Sequence, residues 1–454
     1  MSRASVRFVV VPLLLASAVP AACQSDSHGR PSASGSARSA TAAEVAARPP
    51  LTLTAPAPSA PAPVSAAEQS AFMLRSARTA WSFVSRAATS TGFVGATTAY
   101  PYMTVWDLGS TLASVYSARE LGFITDAQYQ KRMGRIFTSI EKMPLYENAA
   151  YNKLYDARTA QMVDRKNEHT SGGYGWSALD HGRLLVWLKI VGARDAALAA
   201  RAEKIVARLD MKRLVHDGYL YGENVDAQDG HTYSYAEGRI GYEQYAAEAF
   251  ALWNARADLA LNFAANGRPV TVSGQTVLAD ARHDDHLTSE PFIMMGLELG
   301  WPGAHWRPLA LSMLAAQEGR YKETGIVTMV SEDAVPEAPA YFYYYHVYDD
   351  GRPWVVSTVS GETSASFPRW VSAKAAFAYH ALAPSDYTWR ALQTVKYAGA
   401  SNRGWAAGVY EGTRKPTKQF NVNTAAIVLE SAAVFQRGGC PLIERTCAAK
   451  SDVR

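Results

Sequence analysis

The chain has 454 residues, of which 48% are hydrophobic and 19% charged, a composition typical of a globular protein and not of a disordered one. Its formal net charge of +4 is small for this length, and the basic residues are scattered along the chain. Because nucleic-acid-binding domains gather basic residues on one surface, we expect no nucleic-acid partner.

The first 23 residues have the pattern of a bacterial export signal. Arg3 and Arg7 precede the apolar run FVVVPLLLASAV, which is too short to span a bilayer as a helix and is followed by small residues. The next residues, PAAC, resemble the lipobox of lipoproteins, with Pro20 where that motif has an aliphatic residue. The segment predicts export and a lipid anchor on Cys23; a secreted protein cleaved near AVPAA is the alternative.

The segment 24–66 is rich in Ser, Ala, Pro and Thr, and no aromatic residue occurs between Phe8 and Phe72. Such a segment cannot bury enough apolar surface to fold, and its prolines keep it extended. We expect a disordered tether over 24–66 and one folded domain over 67–454.

Beyond the tether, apolar residues recur mostly at helical spacing, and the predicted helices alternate between two kinds. Helices charged on one face are half-solvated; they span 66–88, 125–143, 195–213, 254–263, 305–318 and 384–398. Helices that are apolar all round must be buried on all sides; they span 103–121, 174–192, 239–253, 288–299, 365–383 and 421–436. This alternation predicts an all-α fold, the (α/α)6 toroid, with the inner helices around a funnel; an irregular helical bundle is the alternative.

Three aromatic-rich segments between the predicted helices have alternating residues around Gly or Asp-Gly, the turn chemistry of β-hairpins. They are RLVHDGYLYGENVD, APAYFYYYHVYDDGRPWVV and RGWAAGVYEGTRKPTKQF. We expect short β-hairpins on one rim of the toroid, where they build a cleft. Planar amphipathic rings suit sugar faces, and the chain has 24 Tyr and 11 Trp, although most such rings pack in cores.

The chain has three cysteines. If Cys23 carries lipid, Cys440 and Cys447 remain as a pair in an oxidising compartment, close together in CPLIERTC. We predict a disulfide between them, with two free thiols as the alternative.

Metal and cofactor motifs do not stand out in the sequence. Six of the histidines lack the spacing of metal ligands; they are His181, His216, His231, His283, His286 and His346. A phosphate-binding loop and a nucleophile elbow are not evident either. We expect no metal and no cofactor.

Acidic residues stand near the starts of several predicted inner helices, in apolar surroundings. They are Asp107, Asp180, Glu237, Glu243 and Glu290. Each one alone is explained as a cap or dipole partner of its helix. Because the N-terminal ends of alternate helices in a toroid meet at one rim, the set indicates glycoside chemistry, which needs one carboxylic acid and a second carboxylate.

Several long motifs occur in the order found in a bacterial exported family, the domain of unknown function 3131, which the chain resembles over residues 70 to 437. The motifs are YMTVWDLGSTLASVYSARELGFI, YNKLYDARTAQMV, GWSALDHGRLLVWLKI, YSYAEGRIGYEQYAAEAFALW, LTSEPFIMMGLELG and NVNTAAIVLE. The family name supplies no activity.

The same order resembles, more distantly, the glycoamylase-like enzymes, which are (α/α)6 toroids that include hydrolases and transglycosylases acting on β-1,2-glucans. Their YNWYD is similar to YNKLYD, ending at Asp156, and their STVDNG to SALDHG around Asp180. Their SEAR is similar to AEGR at Glu237, and their GISE to MVSED at Glu332. The resemblance implies Glu237 and Glu332 as the catalytic carboxylates.

The residues themselves allow a physical interpretation of both glutamates. Arg239 would keep Glu237 ionised, as a nucleophile or base requires; a structural ion pair is the alternative. The adjacent carboxylates of Glu332 and Asp333 would repel each other and raise one pKa, which suits a general acid; a solvated turn is the alternative. The remaining predicted sugar contacts are Asp107, Asp156, Asp180, Tyr233, Tyr235, Arg239, Glu290 and Trp176.

The sequence thus predicts an exported protein that binds a bacterial glucan or exopolysaccharide and cleaves or transfers a glycosidic bond. One alternative is a polysaccharide lyase, with Tyr235 as the base and Arg239 neutralising a uronate. Another is a non-catalytic glycan-binding or scaffold protein of exopolysaccharide export, in which the acids only hold the funnel together.

Overall fold

The computed structural model describes residue 51 and residues 53–57, 59–226, 228–282, 285–400 and 403–447. The predicted export signal, the lipidation site at Cys23 and most of the predicted tether lie outside these residues. The end of the tether is described and packs on the domain: Ala60 accepts the backbone N–H of Asp386 at 2.7 Å, and Leu53 packs against the core.

The described residues form thirteen α-helices, most of them at the predicted positions. They are α1 (Ala66–Ala87), α2 (Val105–Glu120), α3 (Asp126–Lys142), α4 (Ala178–Arg194), α5 (Ala196–Val206), α6 (Met211–Leu214), α7 (Tyr242–Ala251), α8 (Phe263–Asn266), α9 (Glu290–Glu298), α10 (Trp306–Thr324), α11 (Ala373–Leu382), α12 (Asp386–Val395) and α13 (Val422–Gln436). None of these helices is long and apolar enough to cross a membrane.

Six helices, corresponding to the six predicted inner helices, contact one another in a closed cycle. In order they are α2, α4, α7, α9, α11 and α13, and α13 packs back on α2. They are buried nearly all round: in α2 every residue from Val105 to Ala118 is buried. Small residues allow the close packing, since a Cβ on Gly182 of α4 would lie 2.5 Å from the Cβ of Ala246 of α7.

The longer outer helices pack on the outside of this cycle, α1 against α13 and α2, α3 against α2, α5 against α4, α10 against α9 and α12 against α11. Each buries mainly one face, and the buried residues of α3 are Tyr129, Met133, Ile136, Phe137 and Ile140. The predicted outer helix over 254–263 is wrong. Asn254 has a left-handed φ of 63°, which ends the helical segment there, and turns lead to the single-turn helix α8.

The inner helix predicted over 365–383 begins later than expected. Trp370–Ser372 is a strand, and α11 starts only after Ser372, whose hydroxyl accepts the N–H of Ala375. The strand leads directly into α11, so Lys374 lies in the first turn of this helix.

The connections carry nineteen short strands in the described residues, which form small antiparallel sheets. They are β1 (Tyr102–Met103), β2 (Leu145–Tyr146), β3 (Ala150–Tyr151), β4 (Tyr155–Asp156), β5 (Gly175–Trp176), β6 (Val215–His216), β7 (Tyr219–Val225), β8 (Thr232–Ala236), β9 (Gly267–Val272), β10 (Gln275–Asp280), β11 (Glu332–Ala334), β12 (Phe342–Tyr345), β13 (Tyr348–Asp349), β14 (Arg352–Pro353), β15 (Val356–Thr358), β16 (Trp370–Ser372), β17 (Gly399–Ala400), β18 (Gly404–Trp405) and β19 (Gly408–Tyr410).

The predicted Asp-Gly turns are present. Asp217 and Gly218, between β6 and β7, have φ of 51° and 79°, and Asp350 and Gly351, between β13 and β14, have φ of 48° and 72°. Both central residues of a type I′ hairpin turn need a positive φ, which Asp tolerates and Gly adopts at no steric cost. Near the C-terminal end of the described chain, Cys440 and Cys447 form a disulfide, with the Cα atoms 5.7 Å apart.

Candidate active site

The N-terminal ends of ring helices meet around an open cavity with about 920 Å³ of empty space, part of which is open to solvent. Its lining comes from the starts of α2, α4, α7, α11 and α13, and from strands β11 and β12. Its ionisable residues are Asp107, Asp180, Arg239, Tyr242, Glu332, Asp333, Tyr344 and Lys374. The convergence of helix starts that the sequence predicts is therefore present.

The acids of α2 and α4 are placed by the same local motif. Thr104 caps α2 by accepting the N–H of Asp107 at 3.1 Å, and Asp107 accepts the N–H of Thr104 at 2.9 Å. Ser177 caps α4 and accepts the N–H of Asp180 at 3.1 Å. A capping residue followed three positions later by an acid fixes both carboxyl groups in the first turn of a ring helix, and both line the cavity.

The carboxyl oxygens of the two aspartates differ in their hydrogen-bond partners. Asp107 also accepts a hydrogen bond from the Asn423 side-chain amide at 3.0 Å, so both of its oxygens have partners. The Oδ2 atom of Asp180 is buried and has no hydrogen-bond partner among the described residues. Burial raises the pKa of Asp180 well above its usual range, and the charges of Glu237, Asp107 and Glu332 raise it further. Asp180 therefore holds its proton far more tightly than an ordinary aspartic acid.

Glu332, at the start of β11, is the second lining acid with a strongly raised pKa. Burial raises its pKa to about 8, with a further contribution from the charge of Glu290, while Lys374, Tyr242 and Arg239 oppose the rise. The acid that acts on Glu332 most strongly is thus Glu290 and not, as the sequence suggested, its neighbour Asp333. At neutral pH Glu332 is mostly protonated and can donate a proton.

Lys374 ties β11 to the ring. Its ammonium group forms an ion pair with Glu290, at the start of α9, and lies 3.6 Å from the carboxylate of Asp333. Asp333 also accepts hydrogen bonds from Trp370 at 3.3 Å and Ser372 at 3.2 Å. Burial raises the pKa of Asp333 to about 6. The network holds the strand that carries Glu332 in a fixed position.

Glu237, the other predicted catalytic acid, is fully buried and is not part of the cavity lining. Its Oε2 atom accepts the backbone N–H of Ala178 at 2.5 Å and that of Leu179 at 3.3 Å, at the start of α4. A carboxylate there satisfies free N–H groups and stabilises the helix dipole. Only one member of the predicted catalytic pair, Glu332, therefore lines the cavity.

The three aromatic residues predicted to contact a sugar lie outside the cavity lining. Trp176 is 1% exposed, and its indole N–H donates to the carbonyl of Tyr221 at 3.0 Å. Tyr233 and Tyr235, on β8, lie with their ring centres 5.9 Å apart and outside the cavity lining. Arg239 does line the cavity, with its guanidinium 4.8 Å from the ring centre of Tyr344.

Two predicted acids are held away from the lining. Asp156 bonds Arg158 at 2.7 Å and His169 at 3.1 Å. Burial opposes its ionisation, but these bonds outweigh burial and lower the pKa of Asp156 to about 2. Glu290 is fully buried behind Lys374, and it also accepts the hydroxyl of Ser331 at 2.8 Å.

Sequence reasoning missed several lining residues. The aromatic ones are Trp106, Tyr242, Phe342 and Tyr344, and the polar ones include Lys374, Asn421 and Asn423. A signal for Lys374 exists, because it is a lone charge in the apolar run VSAKAAFAYHALA. Asn421 caps α13 by accepting the N–H of Thr424 at 2.7 Å, the same kind of cap that places Asp107 and Asp180.

A family model described as protein of unknown function (DUF3131) matches residues 75–438. The chain belongs to this family. No curated protein matches the DUF3131 chain in sequence.

Solved structures share the fold of this DUF3131 protein at low sequence identity. An endo-β-1,2-glucanase from Chitinophaga pinensis, in complex with sophorotriose and glucose, is 12% identical, with a TM-score of 0.58 over 84% of this chain and 96% of that one. A β-1,2-glucanase from Parabacteroides distasonis is 11% identical, with a TM-score of 0.59 over 84% of this chain and 58% of that one. An endo-β-1,2-glucanase from Talaromyces funiculosus, in complex with sophorose, is 11% identical, with a TM-score of 0.52 over 82% and 86%.

Proposed function

We propose that this DUF3131 protein is a glycoside hydrolase or transglycosylase with an (α/α)6 toroid fold, acting on a bacterial glucan or exopolysaccharide. One observation carries the proposal: two carboxyl groups with raised pKa, Asp180 and Glu332, reach one open cavity from separate elements. Glycosidic bond cleavage needs one carboxylic acid that protonates the leaving oxygen and a second carboxylate that activates water or attacks the sugar.

Glu332 is the proton donor in this proposal. With a pKa of about 8 it carries a proton at neutral pH, and a general acid works best when its pKa lies near the working pH. Lys374, Tyr242 and Arg239 favour its ionised form, so they stabilise the charge that develops as the proton leaves.

Asp180 is the second carboxylate and takes the place that the sequence assigned to Glu237. The charge of Glu332 contributes to the raised pKa of Asp180, so the protonation state of Glu332 influences the ionisation of Asp180. While Glu332 holds a proton, Asp180 ionises more readily. Once ionised, its carboxylate at the cavity lining can activate water or attack a sugar.

The lining favours a neutral polysaccharide over a uronate. Acids outnumber bases on the lining, and the ammonium of Lys374 is already engaged by Glu290 and Asp333. Arg239 lies at the cavity, as a lyase would require, but Tyr235, its proposed base, lies outside the lining. Rings such as Trp106 and Tyr344 offer stacking surfaces for sugars, and the shared fold with β-1,2-glucanases supports a glucan.

We also propose that the protein is exported and held in the periplasm or outer envelope by lipid on Cys23, with the segment 24–66 as its tether. The apolar run and the PAAC motif support this. Cell fractionation of the wild type and of Cys23→Ser tests it: the variant is expected to leave the membrane fraction.

The activity test is incubation of the purified domain with β-1,2-glucan and other bacterial polysaccharides, followed by product chromatography. Hydrolysis or transfer is expected in the wild type and its loss in Asp180→Asn and Glu332→Gln, with Asp156→Asn as the matched control. Products that absorb in the near ultraviolet would instead indicate a lyase. Glycan binding without turnover in the wild type, unchanged in both variants, would indicate a binding or scaffold protein.

A further inference from the structure

Two histidines and an aspartate meet behind the wall of the cavity. His286 precedes α9, His346 follows β12, and Asp349 lies in β13. One possible ligand atom from each lies within 4.8 Å of the others, and all three residues are buried. His286 lies 60 residues before His346 in sequence, which is why the spacing of the histidines did not reveal the cluster.

Backbone hydrogen bonds hold the cluster together. Leu287, the residue after His286, donates its N–H to Tyr348 at 3.0 Å and accepts the N–H of Val347 at 2.8 Å. These two bonds set the chain before α9 against the segment that links β12 and β13. The positions of the three side chains are therefore fixed by the fold and not by chance contact of flexible loops.

We propose that His286, His346 and Asp349 bind one divalent transition-metal ion of the zinc class. Imidazole nitrogen and carboxylate oxygen are both good ligands for zinc, and sites with three protein ligands keep a fourth position for water. Ligand atoms around a tetrahedral zinc ion lie about 3.3 Å apart, given bonds of about 2.0–2.1 Å. Side-chain shifts of about 1 Å would close the site.

The state of His346 suits a ligand. Its Nε2 atom lies 3.7 Å from the Oδ2 atom of Asp349, close to the separation of two ligand atoms on one zinc ion. Its Nε2 atom is hydrogen-bonded to the hydroxyl of Ser357 at 2.8 Å, while its Nδ1 atom has no hydrogen-bond partner among the described residues. Because Nε2 is the nitrogen that lies near Asp349, it is the proposed ligand atom, and an ion bound to it would replace the hydrogen bond with Ser357.

Arg239 is the charge that opposes a cation here. Its positive charge acts on both His346 and Asp349. A metal ion and the guanidinium therefore compete for the carboxylate of Asp349. A guanidinium paired with the carboxylate of Asp349 would exclude the ion.

The proposed ion would fix two rings of the cavity wall. The ring of His286 packs edge-on against Tyr344, with centres 5.2 Å apart, and lies 6.0 Å from Tyr242. Tyr242 and Tyr344 both line the cavity. The site would therefore stabilise the cavity and its shape, whatever reaction occurs there.

The test is the metal content of the purified chain, expressed with zinc supplied, dialysed and analysed by elemental mass spectrometry. About one equivalent per chain is expected in the wild type, with a melting temperature that falls on chelation and recovers when Zn²⁺ is added back. His286→Gln and Asp349→Asn should lose the ion. His216→Gln, which changes a half-exposed histidine stacked on Tyr221, should keep it.

A wild-type chain without stoichiometric metal, and with a melting temperature unaffected by chelator or Zn²⁺, would overturn the proposal. If the variants do not fold, the visible absorption spectrum of the wild type loaded with Co²⁺ tests the proposal. Visible absorption bands of a four-coordinate site with nitrogen and oxygen ligands support it, and the spectrum of free aqueous Co²⁺ rejects it.

Discussion

The Oε2 atom of Glu237 accepts the backbone N–H of Ala178 at 2.5 Å, two residues before Asp180 on the first turn of α4. The buried carboxylate thus anchors the helix end that carries a cavity acid, and its charge is the largest electrostatic contribution to the raised pKa of Asp180. The motif that resembled a catalytic glutamate therefore acts, in this structure, on the acid next to the cavity.

Glu237→Gln should move the pH profile of the proposed glycosidase activity. The amide oxygen can still accept the N–H groups of α4, but the negative charge is gone, so the pKa of Asp180 falls. If ionised Asp180 is needed, the acidic limb of kcat/KM moves to lower pH, while a merely structural role would change stability alone. Activity lost at every pH in a variant that still folds would return Glu237 to the catalytic role that the sequence suggested.

The pH dependence of the wild type should report Glu332. A general acid must be protonated, so kcat/KM is expected to fall as pH rises through about 8. Glu332→Gln should lower kcat by about 10²–10⁴-fold and remove this basic limb from any residual activity. Rates measured from pH 5 to pH 10 in both proteins check this, and a limb that persists in the variant belongs to another group.

Glu332→Gln should also gain stability relative to the wild type as the pH rises. The pKa of Glu332 is about 8 in the folded chain against about 4.5 in the unfolded one, so between these values the folded state binds more protons. Stability then falls as pH rises, by up to about 1.4 kcal/mol per pH unit. Thermal unfolding should show Glu332→Gln gaining stability relative to wild type from pH 5 to pH 8. An equal difference at both pH values would contradict the raised pKa.

Asp156→Asn should lower the stability of the fold at neutral pH and leave the activity unchanged. The pKa of Asp156 is lowered to about 2, so its ion pairs stabilise the fold above about pH 4 and are lost as pH falls towards 2. The variant should melt at a lower temperature than wild type at pH 7, with the difference shrinking below pH 4. Its activity per folded molecule should be unchanged, and a large loss of kcat would place Asp156 in the sugar site after all.

The ring of helices was predictable because its helices are apolar on every side and start at capping motifs that are visible in sequence. The same caps, Thr104 and Ser177, place Asp107 and Asp180, so two cavity acids could be located from local sequence alone. The helix over 254–263 failed because a left-handed Asn254 gives no periodic signal.

What the sequence could not supply is which side of each connection faces the cavity. Glu237 follows β8 and Glu332 begins β11, and nothing local distinguishes the one that binds α4 from the one that lines the cavity. The partner of Glu332 is also distant in sequence, since Glu290 and not Asp333 contributes most to its pKa among the acids. Contacts of this kind form because the ring of helices closes, and no spacing of residues in the sequence indicates them.

Below the cavity, Arg183 of α4 joins the ring helices through a fully buried ionic cluster. Its guanidinium lies 2.6 Å from Glu298 of α9 and 3.0 Å from Glu430 of α13, and it donates to the hydroxyl of Ser110 of α2 at 3.0 Å. Burial raises the pKa of Glu430 well above its usual range, with the charge of Glu298 adding to it. Ionisation of Glu430 is therefore disfavoured, and Glu298 is the carboxylate that lies nearer to the guanidinium.

Arg183→Met should be the most destabilising of these changes. It leaves the carboxylate of Glu298 buried without its counter-charge, and breaking a buried pair in this way costs about 3–5 kcal/mol of unfolding free energy. Arg201→Met is the matched control, because the Arg201–Glu141 pair is partly exposed and such pairs are worth about 0–1 kcal/mol. Urea unfolding at pH 7 compares the two. Equal losses in the two variants would show that the buried cluster contributes no more to stability than a partly exposed pair.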